Sequence, residues 1–303
     1  MLAPQALSPT PPARPLRPFA DYEHTGFVVA PALDAYGIGA IIHAIAAGLP
    51  DDVTLVLYGD ARDAAPAQKM IQDLSWLLPR GRLKYLGLTG ARDMLWTRDA
   101  MPMPAWDAEG KLVVTDAKYW AGFEPDEAIA NLLGARVVSH GLRFEGGNLM
   151  ANHLGACAVV DSRALRPLTD ALFARDYGCQ TVTRLAKRGG LGHIDERARF
   201  VAARTVLTDT DPYADLFAAQ GFTIVRVPKP REKYESYVNA LVVNGTAFVP
   251  QFGRADDDAA LGAWESAGFQ TIGVAARTLA GKVHGALHCL TMNYPPISIR
   301  SRP

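Results

Sequence analysis

The strongest constraint on the fold is a glycine that returns at near-constant spacing, each time between a helix-like stretch and a β-rich run. The junctions are LLPRGRLKYLGL at Gly81, NLLGARVVSH at Gly134, RDYGCQTVTRL at Gly178, AAQGFTIVRV at Gly221 and ESAGFQTIGV at Gly268, separated by 53, 44, 43 and 47 residues. A glycine just past a helix takes the left-handed conformation that other residues resist, and a strand can then begin. Between and around the junctions lie the apolar runs GFVVAPAL, VTLVLYG, KLVVTDA, ARVVSH, ACAVVD, FTIVRV, NALVVN and TAFVP. Alternation of such runs with helix-like segments predicts an α/β protein. Five junctions in 303 residues leave about 60 residues for each repeat of one supersecondary unit, with the N-terminal segment completing a ring. A doubly wound α/β domain whose helix ends merely look alike is the alternative.

Each junction leads within about twenty residues into a polar or reactive cluster. These are WTRD (96–99), FEGGN (144–148), GHIDE (192–196), SYVNA (236–240) and LHCLT (287–291). Units arranged about an axis would deliver all five clusters to one centre. Residues 1–18 are proline-rich with little apolar periodicity and read as a mobile or loosely docked tail, leaving 19–303 as a single domain.

Thirty-one Lys plus Arg balance thirty-one Asp plus Glu, so no net charge draws the chain to nucleic acid or an anionic membrane. No apolar stretch approaches the roughly 20 residues of a membrane span, and the first residues lack a signal-peptide core, so a cytoplasmic location is expected. Three cysteines, Cys157, Cys179 and Cys289, make no disulfide framework and no CxxC pair. Each is expected to be a core residue or a reactive thiol, with Cys157 and Cys179 structural.

Cys289 can act as a nucleophile only as the thiolate, which needs a partner to lower its pKa or take its proton. Its neighbour His288 would point to the opposite face of a strand and is not expected to be that partner. His193 and Asp195, two apart, would share one face of a strand. Glu145 precedes two glycines that allow close backbone approach, and Asp99 follows Trp96 and Arg98. Taken singly, each carboxylate reads as a surface residue and the His193/Asp195 pair as a strand end; no HExxH or second His/Cys cluster supports a metal site. Taken together, three acids, one histidine and one thiol suit a planar cation such as a guanidinium. Carboxylates grip its N–H fork, a thiolate adds to its carbon, and a histidine protonates the leaving ammonia and then activates water.

In this order the pieces resemble the agmatine deiminase and bacterial peptidylarginine deiminase branch of the guanidine-modifying enzymes. The resemblance rests on WTRDAMP (96–102), Glu145–Gly147, Gly192–Asp195, SYVNALVVNGTAFVPQF (236–252) and HCLTMNYP (288–295), about two thirds of the chain. It implies a pentein fold, a five-bladed pseudosymmetric β/α propeller of ββαβ units. By position Cys289 resembles the nucleophile, His193 the general acid/base, Asp99 and Asp195 the guanidinium-binding carboxylates, and Glu145 the acid that fixes His193. Asn239 resembles a residue near the site, and Trp96 one lining the substrate channel. The implied activity is cofactor-free and metal-free deimination of a small-molecule or peptidyl guanidine: agmatine, arginine, an arginine derivative or peptidyl-arginine. The agmatine-specific members usually carry Asp-Gly where this chain has Asn152 and His153, so the substrate stays open. Arg92, Arg98, Arg143 and Arg277 are candidates to hold a substrate carboxylate. An amidinotransferase using the same intermediate, or a non-catalytic pentein binding module, are the alternatives, and a homo-oligomer is left open.

Overall fold

The structure, a computed structural model, describes residues 15–297 apart from Arg80, Ala117 and Trp120. It is an α/β fold with five separate sheets that share one strand pattern. In each, a central strand pairs antiparallel on one side and parallel on the other. The central strands are Phe27–Pro31, Leu112–Thr115, Ala156–Val160, Thr205–Thr208 and Thr246–Gln251. Their parallel partners are Thr54–Asp60, Arg136–Val138, Thr181–Leu185, Thr223–Arg226 and Gln270–Ala275. All eight apolar runs singled out in the sequence contain one of these strands or, for NALVVN, the antiparallel neighbour Leu241–Val243. No sheet closes on itself among the described residues.

A parallel pair cannot be joined by a tight turn, so a crossover helix connects each one. Four of these helices, Asp126–Leu133, Asp170–Tyr177, Asp211–Ala219 and Asp257–Ser266, begin with aspartate, whose charge meets the positive end of the helix dipole. The fifth, Ile38–Gly48, is followed by a further unit that adds Ala65–Leu74 and Leu83–Leu88 to the first sheet. The five junction glycines, Gly81, Gly134, Gly178, Gly221 and Gly268, all have positive φ. Four follow within two residues of a helix end, whereas Gly81 lies seven residues past the end of Ala65–Leu74, just before the strand Leu83–Leu88.

The fold is closed by its two ends. Met292–Tyr294, near the C-terminus, is the antiparallel partner of Phe27–Pro31. Arg17–Pro18 pairs antiparallel with Met103–Trp106, and Leu16 and Phe19 are buried, so the body of the domain starts before residue 19. Residues 1–14 of the expected tail lie outside the described residues. Among the described residues no helix is long and apolar enough to cross a membrane.

The structure corrects the cysteine reading. Cys157 and Cys179 are joined in a disulfide, with their Cα atoms 5.7 Å apart. Cys157 lies on Ala156–Val160, and Cys179 sits just before the parallel strand Thr181–Leu185, so sheet registry rather than sequence spacing brings them together. Cys289 is the free cysteine, and it is buried.

The bridge closes a loop spanning 22 positions, for which loop-closure entropy gives about 3 kcal/mol of stabilisation. Thiol titration of unreduced, denatured protein should find one free thiol, and Cys179→Ser should lower Tm by several degrees. Three free thiols in protein purified without reductant would contradict the bridge.

Candidate active site

Four short, tightly turned segments carry four of the sequence clusters, and the fifth, residues 236–240, is irregular chain just before the strand Leu241–Val243. Asp99 lies on the single turn Thr97–Ala100, Gly146–Asn148 and Ile194–Glu196 are 3-10 turns, and Cys289 lies on Leu287–Leu290. His193 and Asp195 are therefore not on a strand, as the sequence suggested: His193 caps the turn that carries Asp195. Their side chains converge all the same. A Cβ built on Gly147 would lie 2.8 Å from Asp99 Oδ1, 3.0 Å from Asp195 Oδ2 and 3.0 Å from His193 Nδ1. Gly146 is pressed as closely against the carbonyl of Arg98. Neither glycine has a positive φ, so space and not backbone conformation demands them here.

His193 Nε2 bonds Glu145 Oε2 at 2.8 Å, which leaves Nδ1 facing Asp99 Oδ1 at 3.6 Å. That Nδ1 is buried without a hydrogen-bond partner among the described residues, and so is Asp195 Oδ1. Asp99 Oδ1 accepts the Gly147 N–H at 2.9 Å. Asn239 holds the cysteine twice. Its Oδ1 accepts the Cys289 N–H at 3.2 Å, and its Nδ2 donates to the sulfur at 3.1 Å. Cys289 Sγ in turn lies 3.5 Å from Asp195 Oδ2.

Supporting bonds lock these segments. Glu196 accepts the N–H groups of Leu191 and Gly192, and Asn148 Oδ1 accepts those of Val160 and Ile194. The Ser236 hydroxyl donates to the Glu196 carbonyl and accepts the Asn239 N–H.

The electrostatics are those of crowded carboxylates around one imidazole. Burial alone would push His193 down, but Asp99, the Glu145 hydrogen bond and Asp195 outweigh it and raise its pKa to about 10. The same His193 hydrogen bond is the largest effect on Glu145 and lowers it. Burial, with Asp195 and Glu145 nearby, lifts Asp99 to about 6 despite His193. Burial would raise Asp195, yet the hydrogen bond and charge of His288 hold it below its ordinary value. Burial, followed by Asp195 and Asp99, pushes the Cys289 thiol well up. A bound cation would reverse that last shift by supplying the positive charge the thiolate lacks.

Trp96 packs over Gly285, where a Cβ would meet its ring at 2.5 Å, and lines a cavity with Arg92, Met94, Tyr119 and Val283. Tyr119 lines the same cavity, although no motif in the sequence marked it. Burial and then the charges of Asp99, Glu145 and Cys289 raise its pKa to about 12. Arg143 lies 5.9 Å from the Tyr119 ring centre and pairs with Glu145 at 3.1 Å, at the exposed mouth. Of the other arginines considered for a substrate carboxylate, Arg98 is buried and holds Asp21, the Thr291 carbonyl and Asn293. Arg277 lies beside Gly253. Asp116, Glu124 and Asp126 are spaced to hold a metal ion, but the Lys118 ammonium already lies 4.0 and 3.8 Å from the first two.

Five segments delivering acids, an imidazole and one thiol to a buried centre define a site built for a planar cation. The Porphyromonas-type peptidyl-arginine deiminase family model matches residues 35–295, and the chain belongs to that family of C–N hydrolases acting on guanidino groups. A search of curated proteins found no match. Among solved structures, the chain is similar to Campylobacter jejuni agmatine deiminase, at 17% identity and TM-score 0.76 over 92% of this chain and 95% of that one. It is similar to Enterococcus faecalis agmatine deiminase at 17% and 0.72, over 93% and 96%. DDAH from Pseudomonas aeruginosa follows at 14% and 0.52, over 89% and 100%. At these identities the likeness is one of fold.

Gly147→Ala tests the convergence. The added methyl must displace Asp99, Asp195 or His193, so turnover should fall about 100-fold, while overpacking costs only about 1–3 kcal/mol of stability. Near-normal activity with a normal Tm would show that the three side chains do not meet there.

Proposed function

We propose that this chain hydrolyses a guanidinium to a ureido group and ammonia through a covalent intermediate on Cys289. The observation that carries the reading is the pair of buried polar atoms without partners, Asp195 Oδ1 and His193 Nδ1, beside the only free thiol among the described residues. A guanidinium supplies N–H donors for the first and a leaving nitrogen for the second. Asp99 and Asp195 grip the cation, and its charge lets Cys289 ionise, with the thiol proton released to solvent, where it accompanies the ammonia as ammonium. The sulfur adds to the guanidinium carbon. His193 gives its proton to the departing nitrogen, the C–N bond breaks and ammonia leaves a thiouronium. His193, now neutral, takes a proton from water, whose oxygen attacks the same carbon; the C–S bond breaks and the urea is released. Glu145 keeps the imidazole oriented, and Asn239 holds the sulfur in line. We read the five sheets as the blades of a pentein ring around this centre.

Arg92 and Arg143, beside the cavity lined by Trp96 and Tyr119, favour a guanidine whose far end is a carboxylate over agmatine, whose far end is an ammonium. The Cys157–Cys179 bridge fits an oxidising compartment better than the cytoplasm that the sequence suggested.

Ammonia release should be seen with arginine, an N-acylarginine or a peptide ending in arginine, more weakly with agmatine, and not at all with Cys289→Ala. Preference for agmatine would reject the carboxylate reading; wild-type turnover by Cys289→Ala would reject the covalent step. New guanidine formed from added amine, with little ammonia, would instead indicate an amidinotransferase.

The raised thiol pKa gives a pH test. Neutral iodoacetamide should alkylate Cys289 slowly near neutrality and faster as the pH climbs past the ordinary thiol value of 9.0. Cationic 2-chloroacetamidine should react readily near neutrality, because it brings the missing charge. Equal rates for the two reagents would contradict a site tuned to cations.

A further inference from the structure

Beneath the site lies a chain of charges that the mechanism above does not use. His288 is buried, and its Nδ1 donates to Asp195 Oδ2 at 2.7 Å while its Nε2 donates to Asp21 Oδ2 at 2.9 Å. Asp21 also accepts from Arg98 Nη1 at 3.2 Å and from Arg199 Nη2 at 2.8 Å. Burial would raise Asp21, but Arg98, Arg199 and His288 hold it well below its ordinary value. Each ring nitrogen faces a carboxylate oxygen, which can accept a hydrogen bond. His288 thus acts as a rigid strut: one end is anchored by Asp21 and the other fixes one oxygen of Asp195. The second oxygen, Asp195 Oδ1, is buried and has no hydrogen-bond partner among the described residues.

Asp21 belongs to the segment that enters the fold from the strand Arg17–Pro18. The Phe19 N–H bonds the Pro104 carbonyl, and the Ala20 N–H bonds Glu23. This segment is therefore wired to the reacting centre through one imidazole, over a sequence separation of 267 from His288.

We propose that His288 and Asp21 form a positioning pair that orients Asp195 for the cationic substrate, which makes the N-terminal segment part of the catalytic apparatus. The proposal rests on the guanidine reading of the site. His288 acts through Asp195 and not on Cys289, with which it shares no hydrogen bond among those described.

Two isosteric changes separate positioning from simple structural support. In His288→Asn the amide nitrogen falls near the former Nδ1, so donation to Asp195 is kept and the link to Asp21 is lost. In His288→Gln the amide nitrogen falls near the former Nε2, so the link to Asp21 is kept and Asp195 is released. His288→Gln should raise KM about tenfold or more, because a binding carboxylate is no longer held, whereas His288→Asn, which keeps the bond to Asp195 but loses its anchor, should raise KM measurably but less, by about threefold. Asp21→Asn should fall between them. A merely structural role would reduce the folded, active fraction, lowering kcat with KM unmoved and treating both variants alike; that result would overturn the proposal.

The same series is read without turnover by the 2-chloroacetamidine concentration that half-saturates alkylation of Cys289. It should rise about tenfold in His288→Gln and return toward wild type in His288→Asn. If wild type releases ammonia from no guanidine, the functional reading fails while the alkylation series still decides the strut. If turnover is found and the two variants alkylate alike, the strut fails alone.

Discussion

The centre of this protein depends on the absence of one carbon atom. Asp99, Asp195 and His193 come from two different units, and all three press into the volume that a Cβ on Gly147 would occupy. Three ionisable groups that close are costly to bury, because each carboxylate raises the other and desolvation raises both. The cost is met by sharing charge: His193 lies between Glu145 and Asp99, and His288 lies between Asp195 and Asp21. Arg98 and Arg199 also balance Asp21, but around the thiol itself Asp195 and Asp99 leave the surroundings short of positive charge until a cation enters.

That deficit links architecture to chemistry. A thiol pushed up by burial and by neighbouring carboxylates holds little thiolate at neutral pH, which would shield the proposed nucleophile from casual alkylation and oxidation. Asn239 contributes the one neutral donor to the sulfur and also clamps the backbone that carries it, so position and ionisation are governed by one side chain. Hydrogen bonds from Glu196, Asn148 and Ser236 fix the turns on which the reacting groups sit. Those turns stand between strands of rigid sheets, which is why loops so short can hold so precise a constellation.

Much of the fold was legible because it is written in local rules. The five junction glycines carry the backbone sign they were assigned, and the apolar runs became strands. Site residues were legible as a chemical set, since a polar or reactive cluster follows each junction, and the structure brings Asp99, Glu145, His193, Asp195, Asn239 and Cys289 together. What escaped the sequence depends on distant pairings. Asp21 meets His288 across most of the chain, Tyr119 reaches the Trp96 cavity from a loop with no motif, and Cys157 meets Cys179 only through strand registry. The error over His193 and Asp195 was of a different kind. Alternation on a strand and a capped 3-10 turn both bring the two side chains to one side, and residue spacing alone does not separate them.

The pairing of Met292–Tyr294 with Phe27–Pro31 carries a consequence for how the protein is made. Cys289 stands three residues before that last strand, and Asp21 stands six before the first. Nearly every residue must be synthesised before either the first sheet or the reacting centre can be completed, and the long loop this closes is paid for late in folding. The nascent chain therefore carries Asp21 early and Cys289 late, and the candidate site cannot assemble until both have been made.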